Sequence, residues 1–322
     1  MKTNRFTTIT GIIMMLLYLT SCIKVYDDLD ACLAGHIRIT YKADGNENIL
    51  NSKDQSYIEG VDLYIYEKET GRLTDKPTHY GKDQLKGLLT LRFPKENTYY
   101  KVVAVANLHK DTKDKFEDET NYKEAVLSAR DESGVSRLYL GEKEIHTEGL
   151  WEKEEEIELK SIHTRYTATI EVAGETRLGE GWYEDMNKEG DITVRLTKLP
   201  ANHHLAKPHN DMQKSIAEMP FKMEDGEIKT EFNSLRINEA DKIGIQLLHN
   251  GQPIESTTGA CDFSDVVAYI NKYNEHLPEE QKIDIKKQEY TIPLKFRVTL
   301  SANVIIDITL EPWKEIDVKP QL

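Results

Sequence analysis

The sequence predicts an all-β protein built from two successive β-sandwich modules with short inserted helices. Apolar and polar residues alternate along short segments from residue 36 onwards, and the longest alternation lies near the C-terminus. A period of two is typical of strands with one buried face. The chain also contains 16 tyrosines, a residue type that is enriched in strands. Together these patterns favour sandwiches over helical folds.

The N-terminus has the pattern of a secretory signal. Lys2 and Arg5 precede an apolar run at residues 11–19, which is shorter than the roughly 20 residues that a transmembrane helix needs. A short apolar run behind cationic residues is instead typical of a signal peptide. An uncleaved anchor, or an ordinary signal followed by a chance cysteine, is the alternative interpretation.

The run ends in the sequence LTSC at residues 19–22, which resembles the bacterial lipobox. The resemblance implies cleavage between Ser21 and Cys22, a lipid on the Cys22 sulfur and an acyl chain on the new amine. We therefore predict that residues 1–21 are a signal peptide and that residues 22–34 are a lipidated tether. Two membrane-binding signals give stable anchoring, whereas a single acyl chain binds only marginally.

The residues after Cys22 favour the outer membrane. Position 23 is Ile, whereas Asp at this position typically retains lipoproteins at the inner membrane. Asp27, Asp28 and Asp30 follow and loosely resemble the acidic surface-export signals of Bacteroides-type lipoproteins, although a solvated tether would have a similar composition. We expect a lipid-anchored, surface-exposed protein of the outer membrane.

The chain is acidic, with a formal net charge of −14 at pH 7. Binding to a polyphosphate needs a basic patch, so this charge argues against a nucleic-acid partner. Repulsion from an anionic membrane would hold an acidic body away from the surface. Removal of the signal leaves about 300 residues, a length that predicts two domains.

Two cysteines, Cys32 and Cys261, remain besides the lipidated one. An exported compartment permits a disulfide between them, which would join the first strand to a distant segment. Two buried free thiols are the alternative. The sequence leaves both open, because a disulfide depends on geometry.

The strand patterns of the first module begin at residue 36. Ile37, Ile39 and Tyr41 share one face of the first segment, and the segment 101–106 is apolar on both faces, which predicts a central strand covered on both sides. The predicted strands are residues 36–41, 61–65, 89–93, 101–106, 137–140 and 157–159.

Two helices are predicted between the strands. Residues 121–129 follow a polar stretch and place apolar side chains on one helical face. Residues 264–276 form an apolar stripe that either Asp262 or Ser264 would cap and that Pro278 would end.

The second module begins near residue 160, with strands predicted at 164–172, 192–196 and 243–247. A long C-terminal hairpin follows, in which residues 290–300 and 304–310 alternate without a break. Pro293 removes a hydrogen-bond donor, so its part of the strand is expected at a sheet edge or a bulge.

Several segments together resemble the fimbrial anchor lipoproteins of Bacteroidales, the FimB/Mfa type. That family has a lipobox cysteine, a short acidic stretch with a second cysteine, a V-x-L-Y-I-Y strand before a glycine turn, a strand that ends in a V-A-N-L-like run, and a C-terminal hairpin before a late tryptophan. The matching segments here are Cys22 to Cys32, Val61 to Tyr66 with Gly71, Val103 to Leu108, and Tyr290 to Leu310 with Trp313.

The resemblance implies a pair of tandem transthyretin-like β-sandwiches, which we expect at residues 35–160 and 161–322. It also implies a protein at the base of a fimbrium that tethers fimbrial shaft subunits to the outer membrane and ends the growth of the shaft. No enzymatic activity and no cofactor are expected.

The resemblance also implies docking by β-strand addition, in which an open sheet edge accepts a strand from another subunit. In shaft subunits of this type, proteolysis removes an N-terminal strand. No arginine lies between Cys22 and the first strand here, and Arg38 lies inside that strand. We therefore expect the first strand to stay in place. Docking would then use the C-terminal hairpin or an open edge of the second module, unless residues 290–310 are simply two core strands.

Motifs that would indicate chemistry are weak. His203, His204 and His209 have irregular spacing near two prolines, which favours a solvated loop over a metal site. Glu152 and the glutamates at 154–156 favour an exposed strand or linker over a calcium loop. No nucleophile elbow, phosphate-binding loop or zinc-protease motif is present, so neither a metal nor catalytic residues are expected.

The alternative function is a surface glycan-binding lipoprotein of a polysaccharide uptake system. Such a platform needs exposed, flat aromatic side chains, and Trp151, Trp182 and Tyr183 are the candidates. Only 3 tryptophans occur in the chain, which is sparse for this role, and Trp313 has a packing explanation.

Overall fold

The computed structural model describes residues 34–42, 50, 57–108, 114–129, 132, 134–148, 153–173, 192–207, 214–254, 265–275, 277–301 and 304–311. We call residues 34–162 the N-terminal half and residues 163–311 the C-terminal half. The predicted signal peptide, the tether up to residue 33 and all three cysteines lie outside the described residues.

Most of the described residues lie in β-strands, so the predicted all-β class is confirmed. One α-helix, α1 (Val266–Asn274), accompanies them. In chain order the strands are β1 (Ala34–Tyr41), β2 (Gly60–Glu67), β3 (Thr78–Gly81), β4 (Leu89–Arg92), β5 (Tyr99–Ala106), β6 (Asp114–Glu117), β7 (Val126–Ala129), β8 (Tyr139–His146), β9 (Glu154–Ser161), β10 (His163–Ala173), β11 (Ile192–Pro200), β12 (Asn202–His204), β13 (Lys214–Pro220), β14 (Lys222–Glu224), β15 (Glu227–Leu235), β16 (Gly244–His249), β17 (Gln252–Pro253), β18 (Thr291–Ser301) and β19 (Val304–Glu311).

The N-terminal half is built on a seven-stranded sheet in the order β3-β2-β5-β8-β9-β1-β4. The sheet curls, so that side chains from both of its ends meet in one hydrophobic core. Ile39 of β1, Leu91 of β4 and Val102 of β5 are all buried in that core. The apolar side chains that alternate along each strand therefore fill the concave side of a strongly curved sheet.

A second core lies on the other face of β2 and β5. Tyr64 and Val103 are fully buried there, although β2 was predicted to have only one buried face. A three-stranded sheet in the order β12-β7-β6 covers this face, and Leu127 of β7 packs in the core. The prediction that residues 101–106 are a central strand covered on both sides is confirmed.

The C-terminal half has two sheets around one core. A five-stranded sheet has the order β14-β15-β10-β18-β19, and a four-stranded sheet has the order β13-β11-β16-β17. Tyr166 of β10, Leu196 of β11 and Phe296 of β18 are buried together between them. Helix α1 adds Val266 and Ile270 to the same core.

The predicted helix at residues 121–129 is wrong. Residues 121–124 are a bridge and a turn, and β7 begins at Val126. The strand forms because β7 pairs with β6 on one side and with β12, which lies more than seventy residues later in the chain, on the other. Tertiary pairing overrides a short local helical pattern in such a case.

The predicted helix at 264–276 is confirmed in type but is shorter. Its N-cap is Asp265, whose side chain accepts hydrogen bonds from the backbone nitrogens of Val267 at 2.9 Å and of Ala268 at 3.4 Å. The predicted caps Asp262 and Ser264 lie outside the described residues. Pro278 does not end the helix, because α1 has already ended at Asn274.

The C-terminal hairpin is confirmed, with one irregularity. β18 and β19 pair from Lys295 opposite Glu311 to Ser301 opposite Val304. A bulge shifts the register, so that Ile305 rather than Ile306 lies opposite Leu300. The two strands therefore do not keep a single pairing register through the hairpin.

Pro293 lies before the first pair of the β18–β19 ladder, as expected for a local edge. Its carbonyl accepts a hydrogen bond from the Tyr269 hydroxyl of α1. On its other side β18 pairs in parallel with β10, where Pro293 lies opposite Thr167. The strand thus tolerates proline where β19 does not reach.

The division into two domains at residue 160 stays a prediction. β12 comes from the C-terminal half yet pairs with β7 in the N-terminal half, with Asn202 opposite Ser128 and His204 opposite Val126. The backbone nitrogen of Leu205 also donates to the Ala125 carbonyl at 3.1 Å. The two halves therefore share a sheet.

Replacing Phe296 by Ala should lower the free energy of unfolding by about 3–5 kcal/mol, because it leaves a cavity at a fully buried site. Arg297→Ala, at the exposed neighbouring position of the same strand, is the control and should cost less than about 0.5 kcal/mol. Urea titration measures both. Equal losses of unfolding free energy for the two variants would show that Phe296 of β18 does not contribute to the core.

Candidate functional site

A strand from another subunit could dock in the slot of the sheet that β1 occupies only if β1 were weakly held there. β1 lies inside the seven-stranded sheet and pairs on both sides. It runs parallel to β9, from His36 opposite Glu154 to Tyr41 opposite Leu159. It runs antiparallel to β4, from Ala34 opposite Arg92 onwards. An incoming strand could take this place only if β1 left.

Side chains also join β1 to β9. The Nε of Arg38 donates to an Oε1 of Glu154 at 2.5 Å, and Glu156 accepts from the Thr40 hydroxyl at 2.9 Å and from the Lys42 ammonium at 3.2 Å. The Arg38 backbone lies within the ladder with β9 and directly follows Ile37, the last residue that pairs with β4, and extended, paired backbone is poorly accessible to a protease. Arg38 is therefore an unsuitable cleavage site in the folded protein.

The end of β1 is held by a cluster of polar groups at the junction of the two halves. The carboxylate Oε1 of Glu289 accepts hydrogen bonds from the hydroxyl of Tyr41 at 2.5 Å and from the hydroxyl of Tyr139 at 2.7 Å. Burial, and then the nearby Glu289 charge, raise the pKa of Tyr139. The hydroxyl thus remains protonated and keeps donating to the carboxylate.

His163 lies against the same cluster. Its Nδ1 donates to the Leu138 carbonyl at 2.9 Å, and its Nε2 lies 3.8 Å from an oxygen of Glu289. Burial lowers the pKa of His163, although the Leu138 carbonyl and Glu289 act in the opposite direction. The imidazole is therefore neutral at neutral pH.

Arg236 holds the segment before β18 against the end of β9. Its guanidinium donates to the carbonyls of Ile285 at 2.7 Å, Gln288 at 3.4 Å and Ser161 at 3.3 Å, and also to that of Lys287. The side chain of Gln288 accepts from the backbone nitrogen of Ser161 at 2.9 Å. The end of β9 and the start of the C-terminal hairpin are thus tied together.

The free edges of the C-terminal half differ in length and accessibility. β14 and β17 have only 3 and 2 residues. β13 has 7 residues, but the Glu218 backbone nitrogen already donates to the Glu132 carbonyl at 2.8 Å. β19 has 8 residues and ends its sheet, and no strand of the described residues pairs with its outer side.

β19 is thus the candidate docking edge. The seven residue pairs of its ladder with β18 leave its other side available to an added strand. β18 itself is buried through Ile292, Leu294 and Phe296 and pairs with β10 over nine residues. The hairpin therefore combines a firmly held inner strand with an outer strand whose far side has no strand partner within the part of the chain that the structure describes.

Several residues singled out in the sequence lie outside the described residues. They include the predicted cleavage and lipid sites Ser21 and Cys22, and the two cysteines of the predicted disulfide, Cys32 and Cys261. The same holds for the candidate glycan-binding aromatics and for the late tryptophan, namely Trp151, Trp182, Tyr183 and Trp313.

The histidine cluster is not a loop where it is described. His203 and His204 lie in β12 and are partly buried, because β12 pairs with β7. His209 is outside the described residues. Glu154, as part of β9, confirms the exposed-strand interpretation of the acidic run.

Sequence reasoning missed the junction cluster. Tyr41, Tyr139, His163 and Glu289 come from four separate parts of the chain, and none stands in a motif. The only local signal was a polar residue, Glu289, directly before a strong strand pattern. This arrangement is too common in sequences to identify a site. Within the described residues, no three His, Cys, Asp or Glu side chains are placed to hold a metal ion, and none of the helices there is long and apolar enough to cross a membrane.

Comparison with protein families gives one match. The family model of the fimbrillin-A associated anchor proteins Mfa1 and Mfa2 matches residues 29–319. No curated protein matches the chain.

Solved structures share the fold. A candidate adhesin from Bacteroides ovatus has a TM-score of 0.59 at 11% identity and covers 86% of this chain and 92% of its own. A candidate polysaccharide-binding protein from Bacteroides thetaiotaomicron has a TM-score of 0.56 at 11% identity, with coverage of 86% and 95%. The fimbrial anchor protein Mfa2 from Porphyromonas gingivalis has a TM-score of 0.51 at 12% identity, with coverage of 87% and 97%.

His163 should make the fold less stable in mild acid. Its pKa in the folded state lies below the unfolded value of about 6.5, so the unfolded state binds more protons between the two values. Stability should therefore fall as the pH drops below about 6.5. Urea unfolding at about pH 7.5 and about pH 5.5 should show the wild type losing more stability than His163→Gln, by at most about 1.4 kcal/mol over this interval. Equal losses would contradict the buried neutral imidazole.

Proposed function

Since the chain belongs to the family of fimbrillin-A associated anchor proteins Mfa1 and Mfa2, we propose that it anchors a fimbrium to the outer membrane and ends the assembly of the shaft. The match over residues 29–319 carries this proposal, because it spans both halves. The family indicates a structural role in the cell envelope rather than an enzymatic one. The partners that we propose are fimbrial shaft subunits.

The proposed attachment to the membrane is a lipid on Cys22 after cleavage behind Ser21. The lipobox-like sequence at residues 19–22 supports it. Only eleven residues separate Cys22 from the first residue of β1, Ala34. The length of this acidic tether would then limit how far repulsion can hold the folded body from the membrane surface.

The proposed docking edge is β19, by addition of a strand from a shaft subunit. Main-chain hydrogen bonds would supply much of the affinity, and alternate side chains would select the partner. Two observations support this choice. β19 is the longest terminal strand of the sheets in the C-terminal half, and β1 is fastened by its two ladders and by Glu289. Docking at β19 leaves β1, the strand that follows the tether, in its place in the sheet.

Cys22→Ser should release the protein from the membrane fraction, because it removes the acceptor of the lipid. Fimbriae should then be shed into the medium, which electron microscopy of cells and culture supernatant can measure. Cys32→Ser, ten residues further along the same tether, is the control and should leave the protein on the membrane. If the Cys22→Ser protein stays membrane-bound and processed, the lipobox interpretation is wrong. Normal fimbriae combined with a growth defect on glycans would instead support the glycan-binding alternative.

A photoreactive benzoylphenylalanine at Asp307, in the middle of β19, should cross-link to a shaft subunit in living cells. The same residue at Thr90, on the outer strand β4 of the N-terminal half, is the matched control and should not. Mass spectrometry of the cross-linked band identifies the partner. Cross-links from position 90 alone would move the docking edge to the N-terminal half.

A further inference from the structure

We propose that the parallel ladder between β1 and β9 is a mechanical clamp that carries tension between the membrane tether and the C-terminal half. The inference rests on the proposed function, because only an anchored fimbrium pulls on the tether. It gives a function to the pairing of β1 with β9, a pairing that strand docking at β19 does not require.

The ladder lies in the direction that resists pulling. β1 and β9 run parallel over six residue pairs, from His36 opposite Glu154 to Tyr41 opposite Leu159. The tether leaves β1 at its N-terminal end, beside His36. β9 continues into the C-terminal half from its other end, at Ser161. Tension therefore acts at opposite ends of the ladder and slides one strand along the other.

Sliding and peeling load a ladder differently. When two paired strands are pulled from the same end, their hydrogen bonds break one after another. When they are pulled from opposite ends, the evenly spaced bonds of a parallel pair share the load and must fail together. The rate of forced unfolding then depends on a barrier that all six pairs raise.

The path of the force continues without a loop. A single residue, Ile162, separates the end of β9 from the start of β10. β10 is an inner strand that pairs with β15 over eight residues and with β18 over nine. The β10–β18 ladder is also parallel, so it is again loaded from opposite ends when β18 is pulled toward the hairpin.

Side chains reinforce the clamp along its length. On the solvent side, Arg38 contacts Glu154 and both Thr40 and Lys42 contact Glu156. On the inner side Ile37 and Ile39 are fully buried. Sliding β1 by one residue would break the polar contacts and would move these apolar side chains out of their core positions.

β4 adds a second ladder on the other side of β1, through Ala34 to Ile37. Withdrawal of β1 along its axis must slide it past both neighbours at once. The junction contacts of Glu289 and Arg236 hold the corner at the end of β9, so that tension reaches the ladders rather than bending the two halves apart.

Single-molecule pulling of the mature chain, residues 22–322, tests the clamp. In a background with the three cysteines changed to Ser, one handle is attached to the N-terminus and the other to a single new cysteine. Asp225→Cys places the second handle in the exposed turn between β14 and β15, beyond the far end of β10, and pulls β1 and β9 from opposite ends. Lys153→Cys places it before β9 and pulls them from the same end.

We expect the rupture force of β1 to be several-fold higher with the handle at 225 than at 153, with the released chain length identifying β1. In the first geometry, the double variant Glu154→Ala, Glu156→Ala should rupture at lower force. Glu158→Ala, on the same exposed face of β9, is the matched control and should rupture like the parent.

Equal rupture forces in the two geometries, or a double variant as strong as the parent, would overturn the clamp. The measurement uses the isolated protein and needs no fimbriae. Its failure would therefore leave the proposed anchoring role standing, whereas normal fimbriae on cells with the Cys22→Ser protein would remove that role and leave the measured rupture forces unchanged.

Discussion

Parallel pairing between distant strands is the constraint on which both halves depend. β1 takes its place beside β9, and β18 beside β10, across more than a hundred residues of chain in each case. A parallel pair cannot be made by a tight turn, so the intervening chain has to fold around it. Both halves are thereby closed by a strand that comes from far away in the sequence, and neither end of the described chain is a loose appendage.

The Glu289 cluster reinforces this closure at one point. The carboxylate of Glu289 accepts hydrogen bonds from tyrosine hydroxyls of β1 and β8 and lies two residues before the start of β18. The Glu289 side chain is only partly buried, and the hydroxyls of two tyrosines, which remain protonated donors, replace part of its contact with water. The first strand of one half and the start of the last hairpin of the other are therefore held by the same group, which connects the proposed membrane side of the molecule to the proposed docking side.

The sequence predicted the strands whose alternation is strong, such as Ile37 to Tyr41 and Ile292 to Val298, because a buried face leaves a periodic trace in the chain. It did not predict β15, in which Thr230 and Ser234 occupy positions that apolar residues would mark. It placed a helix at residues 121–129, because the partner strand that decides the local conformation lies at residues 202–204. The junction cluster left no motif in the sequence, since its members come from four separate segments that meet only after both halves have folded. The family resemblance, by contrast, followed from motifs within short segments, and the family match confirms it.

The sheet shared by β6, β7 and β12 determines the order in which the chain can fold. β7 completes its pairing only with residues 202–204, and Leu205 adds to the cover over Tyr64 and Tyr66. On the proposed export route, with the N-terminus first, the chain has to expose these tyrosines until residue 205 has followed. The N-terminal half thus stays incomplete until some forty residues of the C-terminal half have followed, and on the proposed export route this is the interval in which a periplasmic chaperone could bind the exposed tyrosines.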